Sequence, residues 1–401
     1  MQDCTRRGWL KAVCATGALG AVASRGRAVA APAAPVAVAK CKDYGPELLP
    51  TLDKMFDQLG GLGRLVKGKT VAIKVNLTGA TFYRLAHLPL GDTHYTSPQV
   101  IAATVHLMGK AGARRIRIIE GLYDWSARAP AEEFLLQANW EPRDILNAAP
   151  NVELESTNCL GKGKTYARFT VPYGGYIFPA YDLNHSYKDC DVFVSLAKLK
   201  EHATAGVTLS IKNCFGITPC SIYGLSAGVD EPNEVPKGAR SFMHAGDRQP
   251  SKSAPPEKDP TTPRQGGYRI PRIIVDLVAA RPIDLAIVEG VRSMTGGEGP
   301  WIPGALAPAS PGVIVAGTNP VNTDAVSMAV MNFDPMADRG TPPFEDCDST
   351  VRLAEDVGLG TRDLRRIEVV GTPINEAVFD FAAIRKERRR LSPPGGQRKR
   401  A

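Results

Sequence analysis

No two of the eight cysteines are spaced C-x-x-C, so a zinc or iron–sulfur site built from local sequence has no ligands to start from. No apolar run reaches the ~20 residues that a membrane-spanning helix needs. The weakly apolar stretch AVCATGALGAVA at 12–23 is too short. The glycine string GGEGPWIPG at 296–304 lacks the lysine of a phosphate-cradling loop and opens no clear helix, so it reads as a turn over a site mouth. Ser97 and Ser210 have no convincing partner, which argues against serine hydrolysis. No two histidines stand in an H-x-x-x-H spacing. A metal site of two histidines and one carboxylate would have to be assembled from His94, His202 or His244 with Glu120, Asp191 or Asp324.

The net charge of +8 suggests nucleic acid until it is located. Residues 1–30 carry five basic residues against Asp3, and residues 382–401 carry eight against Glu387, so the chain between them is mildly acidic. A nucleic-acid domain carries its basic face on the fold itself, so no nucleic-acid partner is expected. The basic tail at 382–401 reads as a solvated, disordered end.

The start, Thr5-Arg6-Arg7 followed by Trp9-Leu10-Lys11 and a short apolar run, reads as a twin-arginine signal peptide over 1–30. Ala28-Val29-Ala30 offers the cleavage site. This predicts export through the twin-arginine translocase to a periplasmic or extracytoplasmic location. Such substrates fold before export, often around a cofactor, but the sequence names no cofactor. No transmembrane segment is expected, and disulfides are an open option outside the cytoplasm, Cys214 with Cys220 among them.

Residues 31–45 read as an Ala/Pro/Val-rich linker, and 46–376 as an α/β domain with a long surface excursion at 226–268. The run TVAIKVNL, a helix opening at Ser97-Pro98, and RIRIIEG form a βαβ unit with a parallel sheet. Further strands are expected at DVFVSLAKLK, IDLAIVEGV and GVIVAGT, with helices at 270–280 and 321–332. The fold class is α/β, a mainly parallel sheet with flanking helices. Two lobes, with DVFVSLAKLK and IDLAIVEGV as equivalent strands, is a second arrangement.

Open α/β sheets bind ligands at the carboxyl ends of their strands. Lys74, Asn76, Glu120, Lys198, Lys200, His202 and Glu289 fall at such ends, and GVIVAGT leads to Asn319, Asn322 and Asp324. In an extended K-L-K-E-H segment, Lys198, Lys200 and His202 share one face, which suits an anion. Lys212 and Asn213 interrupt an apolar run, where a lysine serves as a depressed-pKa base, an anion clamp or a snorkelling side chain. His202, Lys212, His94 and Glu120 are the expected catalytic groups. Lys74, Asn76, Lys198, Lys200, Asn213, Glu289 and Asp324 are the expected binding groups.

KVNL (74–77), HYTSP (94–98), AGARRIRIIEG (111–121), DVFVSLAKLKEH (191–202), VTLSIKNCFG (207–216), VEG with M-x-G-x-x-G-P (288–300) and VAG-x-N-x-V-x-x-DAV (315–326) together resemble the domain of unknown function 362 family over about 68–335. The resemblance implies an α/β fold. Some members are joined to ferredoxin-type iron–sulfur modules, whose cysteine ladder this chain lacks. The resemblance supplies no catalytic residues. The expectation is therefore an exported enzyme acting on a small anionic substrate through a Lys/His-lined site. The alternatives are a non-catalytic anion-binding or accessory protein, and a metal- or redox-cofactor protein folded before export.

Overall fold

The computed structural model describes residues 34–122, 131–158, 165–234, 239–302 and 306–384. The expected signal peptide at 1–30 and residues 385–401 of the basic tail lie outside the described residues. Eight strands form one sheet. They are Val36–Lys40 (β1), Thr70–Lys74 (β2), Arg115–Glu120 (β3), Val152–Ser156 (β4), Val192–Lys198 (β5), Leu285–Gly290 (β6), Val313–Gly317 (β7) and Val369–Gly371 (β8). Their order is β8-β1-β7-β6-β5-β2-β3-β4. The five strands from β4 to β6 run parallel, and β7 is antiparallel to both of its neighbours.

The parallel strands are short β-branched runs buried on both faces, as a sheet covered by helices on each side requires. On one face Leu48–Gln58 (α1) and Pro98–Lys110 (α2) pack against Val71, Ile73, Val192, Val194 and Leu196. The buried residues of α1, Leu48, Leu52, Met55 and Phe56, recur at helical spacing. On the other face Leu209–Asn213 (α3), Gly266–Ala280 (α4) and Pro320–Val330 (α5) cover Ala72, Phe193 and Ala197. Each large apolar side chain so buried contributes roughly 1.5–3 kcal/mol.

Three expectations are corrected. The expected linker contains β1, whose Val36, Ala37 and Val38 are fully buried. Small and β-branched residues fill a narrow slot between two strands, so Val-Ala-Val fits a strand despite its alanine-rich flanks. The two strands weighed as belonging to separate lobes, β5 and β6, are hydrogen-bonded neighbours in the one sheet. The excursion at 226–268 is not only a surface feature, because Phe242, Met243 and Glu257 are buried and Glu257 pairs with Arg269 at 2.5 Å.

All five described cysteines beyond the linker strand and within the sheet layers are free thiols (Cys41, Cys190, Cys214, Cys220 and Cys347), so Cys214 and Cys220 do not pair. No helix among the described residues is long and apolar enough to cross a membrane.

Candidate functional site

The carboxyl edge of the parallel strands is floored by two buried ion pairs. Lys198 and Glu289 are direct cross-strand partners in the β5–β6 register, and their charged ends meet at 2.6 Å with neither side chain exposed. Lys198 also donates to the Gly91 carbonyl at 2.6 Å, and Glu289 accepts from the Ser97 amide at 2.9 Å. Burial works against both charges, pushing the Lys198 ammonium down and the Glu289 carboxyl up, while their mutual attraction opposes it. Burial and the Glu289 charge push the Tyr44 hydroxyl far up, and it remains a neutral cap on this pair.

The second pair joins β2 to β3, Lys74 to Glu120 at 2.6 Å. Lys74 further donates to Asn213 Oδ1 at 3.0 Å, and Glu120 accepts from the Leu77 amide at 2.9 Å. Gly216 closes over this pair. A Cβ there would lie 2.9 Å from Lys74 Nζ and 3.0 Å from Glu120 Oε1. Gly216→Ala is therefore expected to cost about 1–3 kcal/mol by overpacking. The urea midpoint of unfolding measures it, and an unchanged midpoint would mean the pair yields freely.

Lys200 is fully buried and bridges two loops, donating to the carbonyls of His94 at 2.7 Å and Glu298 at 2.9 Å. The glycine string is thus tied down across 296–302. Gly296 N–H donates to Glu201 Oε2, Glu298 Oε2 accepts from the Ala203 amide, and Trp301 packs edge-on against His94 with ring centroids 5.5 Å apart. A Cβ on Gly79 or Gly299 would collide with the Trp301 ring, so both glycines make room for it.

Lys212 stands apart from these pairs. Its ammonium sits 4.9 Å from the centroid of Phe215, and among the described residues it has no hydrogen bond or ion pair. His244 meets the same ring edge-on at 5.2 Å. Lys212, His202 and His244 each feel the Glu298 charge, and both imidazoles also feel that of Lys212. Burial is the largest influence on Lys212; Glu298 opposes it and Lys74 reinforces it, leaving the ammonium at about 8. Burial also favours the uncharged carboxyl of Glu298, but His202, the Ala203 amide and Lys212 outweigh it and hold that group at about 2. Burial keeps both imidazoles below their usual range, and hence neutral near pH 7.

The hydrogen bonds fix opposite tautomers on the two imidazoles. His202 Nδ1 accepts from the Thr204 amide at 3.1 Å, so its proton is on Nε2. Glu298 Oε2 lies 3.8 Å from that Nδ1, too far for a hydrogen bond. His244 Nδ1 lies 3.0 Å from the Arg240 carbonyl, to which it must donate, so its Nε2 carries the lone pair. One imidazole offers a donor and the other an acceptor.

The backbone that carries Lys212 is held rigidly. Asp324 accepts from the Ser210 amide, the Ser210 hydroxyl and the Ile211 amide at 2.6–2.9 Å. Leu209, at the start of α3, has a positive φ of 41°. A non-glycine residue in that region costs on the order of 1–3 kcal/mol and persists only where its surroundings enforce it. Asn213 donates to the Lys74 carbonyl and to Ser195 Oγ, both at 3.1 Å.

Several expected site residues therefore serve other purposes. Lys198 and Lys200 are fully enclosed, and their ammonium groups are taken up by backbone carbonyls, Gly91 for the first and His94 and Glu298 for the second, so neither is left for a ligand beside His202. Lys74, Glu120 and Glu289 are spent in ion pairs. Asp324 buttresses α3, and because β7 is antiparallel, its carboxyl end lies at the opposite edge of the sheet. Asn319 and Asn322 cap α5 and the 361 turn. Asn76 donates to Asn213, and its own Oδ1 is buried without a partner. His94 Nε2 is likewise buried and unpaired. Asp191 binds the Thr70 amide. No three His, Cys, Asp or Glu side chains gather as a metal site among the described residues.

In the sequence His244 stands out only as a candidate metal ligand, and nothing local marks Glu298, the one acid in the glycine string. Two further strings carry motif letters without the motif's structure. G-R-L-V-K-G-K-T at 63–70 has the spelling of a phosphate loop, but its first four residues lie in the helix Leu62–Val66 and its last opens β2, the reverse of the order that aims amides at a phosphate. G-L-S-A-G at 224–228 spells a nucleophile elbow, but it follows the helix Cys220–Tyr223, not a strand.

A three-layer α/β sheet with buried lysine–glutamate pairs under a lysine–histidine mouth defines the class of this protein. The chain belongs to the family described as Domain of unknown function (DUF362), whose model matches residues 71–329. It is also similar to a thylakoid-associated protein of Synechocystis sp., 30% identical over 187 residues, which cover 46% of this chain and 51% of that protein. The chain thus spans about half the length of the curated relative it matches.

Proposed function

We propose that this chain is an exported enzyme that acts on a small anionic substrate at the mouth formed by Lys212, His202, His244 and Glu298. The observation that carries this reading is Lys212, half-buried, with an ammonium that has no hydrogen bond or ion pair among the described residues. Buried lysines elsewhere in the site are all bonded, as structural charges must be. Arg240 points the local charge the same way. Its guanidinium donates to the Thr218 carbonyl, the Gly121 and Gly216 carbonyls and Asn158 Oδ1, and no carboxylate pairs with it among the described residues. With Arg240 unpaired and Lys212 unbonded, Glu298 is outnumbered by cations, which favours an anion. Export through the twin-arginine translocase belongs to this reading and rests on Arg6-Arg7 and the apolar run that follows.

The test is an NMR titration of the lysines in the processed protein, with Lys212→Arg assigning the signal. An amine titrating near 8, and shifting upward on addition of oxalate, is the expected result. At a value of about 8, roughly a tenth of the amine is neutral at pH 7 and ready to act as base or nucleophile. A Lys212 that titrates with the surface lysines and ignores oxalate would refute the reading.

A further inference from the structure

We infer that Lys212 is a covalent nucleophile that forms an imine with a small carbonyl compound bearing a carboxylate, such as a 2-oxo acid, with His244 as the proton carrier and His202 as the donor to the carbonyl oxygen. This rests on the anionic-substrate reading above and names the substrate class. Imine formation needs a free amine, a base close to it, and a hydrogen-bond donor where the carbonyl oxygen gathers charge. The three groups are present in those forms. Lys212 has no bonded partner among the described residues. His244 presents a lone pair on Nε2 because Nδ1 is committed to the Arg240 carbonyl, and it shares the Phe215 ring with Lys212. His202 presents an N–H on Nε2 because Nδ1 is committed to the Thr204 amide.

The step balances without any further reagent. The neutral amine attacks the carbonyl carbon, the nitrogen–carbon bond forms, and the π pair moves to oxygen, which His202 Nε2–H hydrogen-bonds. His244 takes a proton from the nitrogen and gives it to that oxygen, leaving a carbinolamine. The nitrogen lone pair then expels the hydroxyl as His244 moves the second proton from nitrogen to oxygen, and water leaves. The product is the imine, and both imidazoles return to their starting forms. The substrate's carboxylate is drawn to the guanidinium of Arg240, which no carboxylate pairs with among the described residues.

The arrangement also explains why Lys212 is not a mere anion clamp. A clamp is best left charged, whereas the surroundings of Lys212 favour loss of its proton, and its Phe215 neighbour offers no hydrogen-bond acceptor. The rigid support of α3 by Asp324 and of Asn213 by Ser195 fixes the point from which the amine attacks.

The test incubates the full processed chain with glyoxylate or pyruvate, adds sodium borohydride, and measures intact mass followed by peptide mapping. One reduced adduct per chain at Lys212, suppressed by oxalate and lost in Lys212→Arg, is the expected result. His244→Asn should slow adduct formation by about 10²-fold or more while the far-ultraviolet spectrum stays native. Label spread over surface lysines, or no label at Lys212, would overturn the imine. The oxalate titration of Lys212 separates the two failures. An oxalate response with no adduct would overturn the imine and leave the anion site standing, and the lack of both would sink the two together.

Discussion

Lys198→Ala is expected to lower the free energy of unfolding by about 3–5 kcal/mol, among the largest losses any single change in this sheet should give. The substitution leaves Glu289 with no cation, fully enclosed, at the strand end next door. A charge in that position cannot be hydrated, and its remaining donors, the Ser97 amide at 2.9 Å and the Tyr44 hydroxyl at 3.2 Å, do not replace an ammonium at 2.6 Å. Glu289 can escape by taking up a proton, since burial already raises its carboxyl, and the loss should therefore be smaller in acid than at neutral pH. Replacing both partners, Lys198→Met with Glu289→Leu, should cost less than Lys198→Ala alone, because no unpaired charge is left behind. It should not be neutral, for the Ser97 amide and the Gly91 carbonyl would lose their partners. Urea unfolding at pH 7 of the three proteins measures this, read from the midpoints at constant slope. A single variant that loses under about 1 kcal/mol would mean the pair behaves like a surface bridge, with water reaching it.

That pair illustrates where the sequence stops being informative. Lys198 and Glu289 are each visible as a charge closing an apolar strand, and both were expected at a ligand. What the chain does not spell out is that β5 lies beside β6 in a register that sets the two Cα atoms opposite each other. Strand order is a property of long-range packing, and a lysine that meets a glutamate across two strands reads, from either strand alone, as a free charge. The same holds for Lys74 and Glu120, from β2 and β3. By contrast, the strands themselves, the Ser97-Pro98 helix start and the parallel βαβ unit were legible because their signals are local: β-branched runs, a cap and a proline.

The lysine–histidine cluster was half legible for the same reason. Lys212 and His202 stand beside apolar runs, where a polar side chain is conspicuous. His244 comes from the short helix Ser241–Ala245 and Glu298 from a loop, and only the fold sets His244 on the Phe215 ring beside Lys212 and Glu298 near His202. Their tautomers depend on single backbone groups, the Arg240 carbonyl and the Thr204 amide, which no side-chain pattern encodes. Asn319 and Asn322 illustrate the opposite error. They followed an expected strand end, but β7 runs against its neighbours, and a reversed strand carries its end to the other edge.

Asp276→Ala should be at least as damaging as the loss of Lys198, by about 4–5 kcal/mol. Asp276 is a lone acid in the apolar run I-I-V-D-L-V of α4, and it is fully buried. Its two oxygens accept from five donors: the Tyr173 hydroxyl at 2.5 Å, the amides of Tyr176, Ile177 and Phe178 at 2.6–3.2 Å, and the Tyr181 hydroxyl at 3.2 Å. Bonds to a charged acceptor are worth about 1.5–3 kcal/mol each, and removing the acceptor also leaves buried amides unsatisfied, though the losses do not simply add. The carboxylate in effect replaces a strand for the 173–181 turn. Gly174 and Gly175 bend that turn with φ of 84° and 73°, and it could not otherwise pair its amides beside a helix. Asp276→Asn separates the parts of the effect. It keeps one acceptor oxygen but turns an amide group toward donors, so it should recover little of the loss. Asp276→Ala should also reach the site, because Arg269 on the same helix donates to the Met243 carbonyl and so holds the segment that carries His244. Urea unfolding gives the stability, and the borohydride-trapping rate with glyoxylate, measured where the variant remains folded, gives the effect on the site. A variant that loses stability but traps at the parent rate would confine Asp276 to the fold. One that loses neither would show that the five donors find other acceptors once the carboxylate is gone.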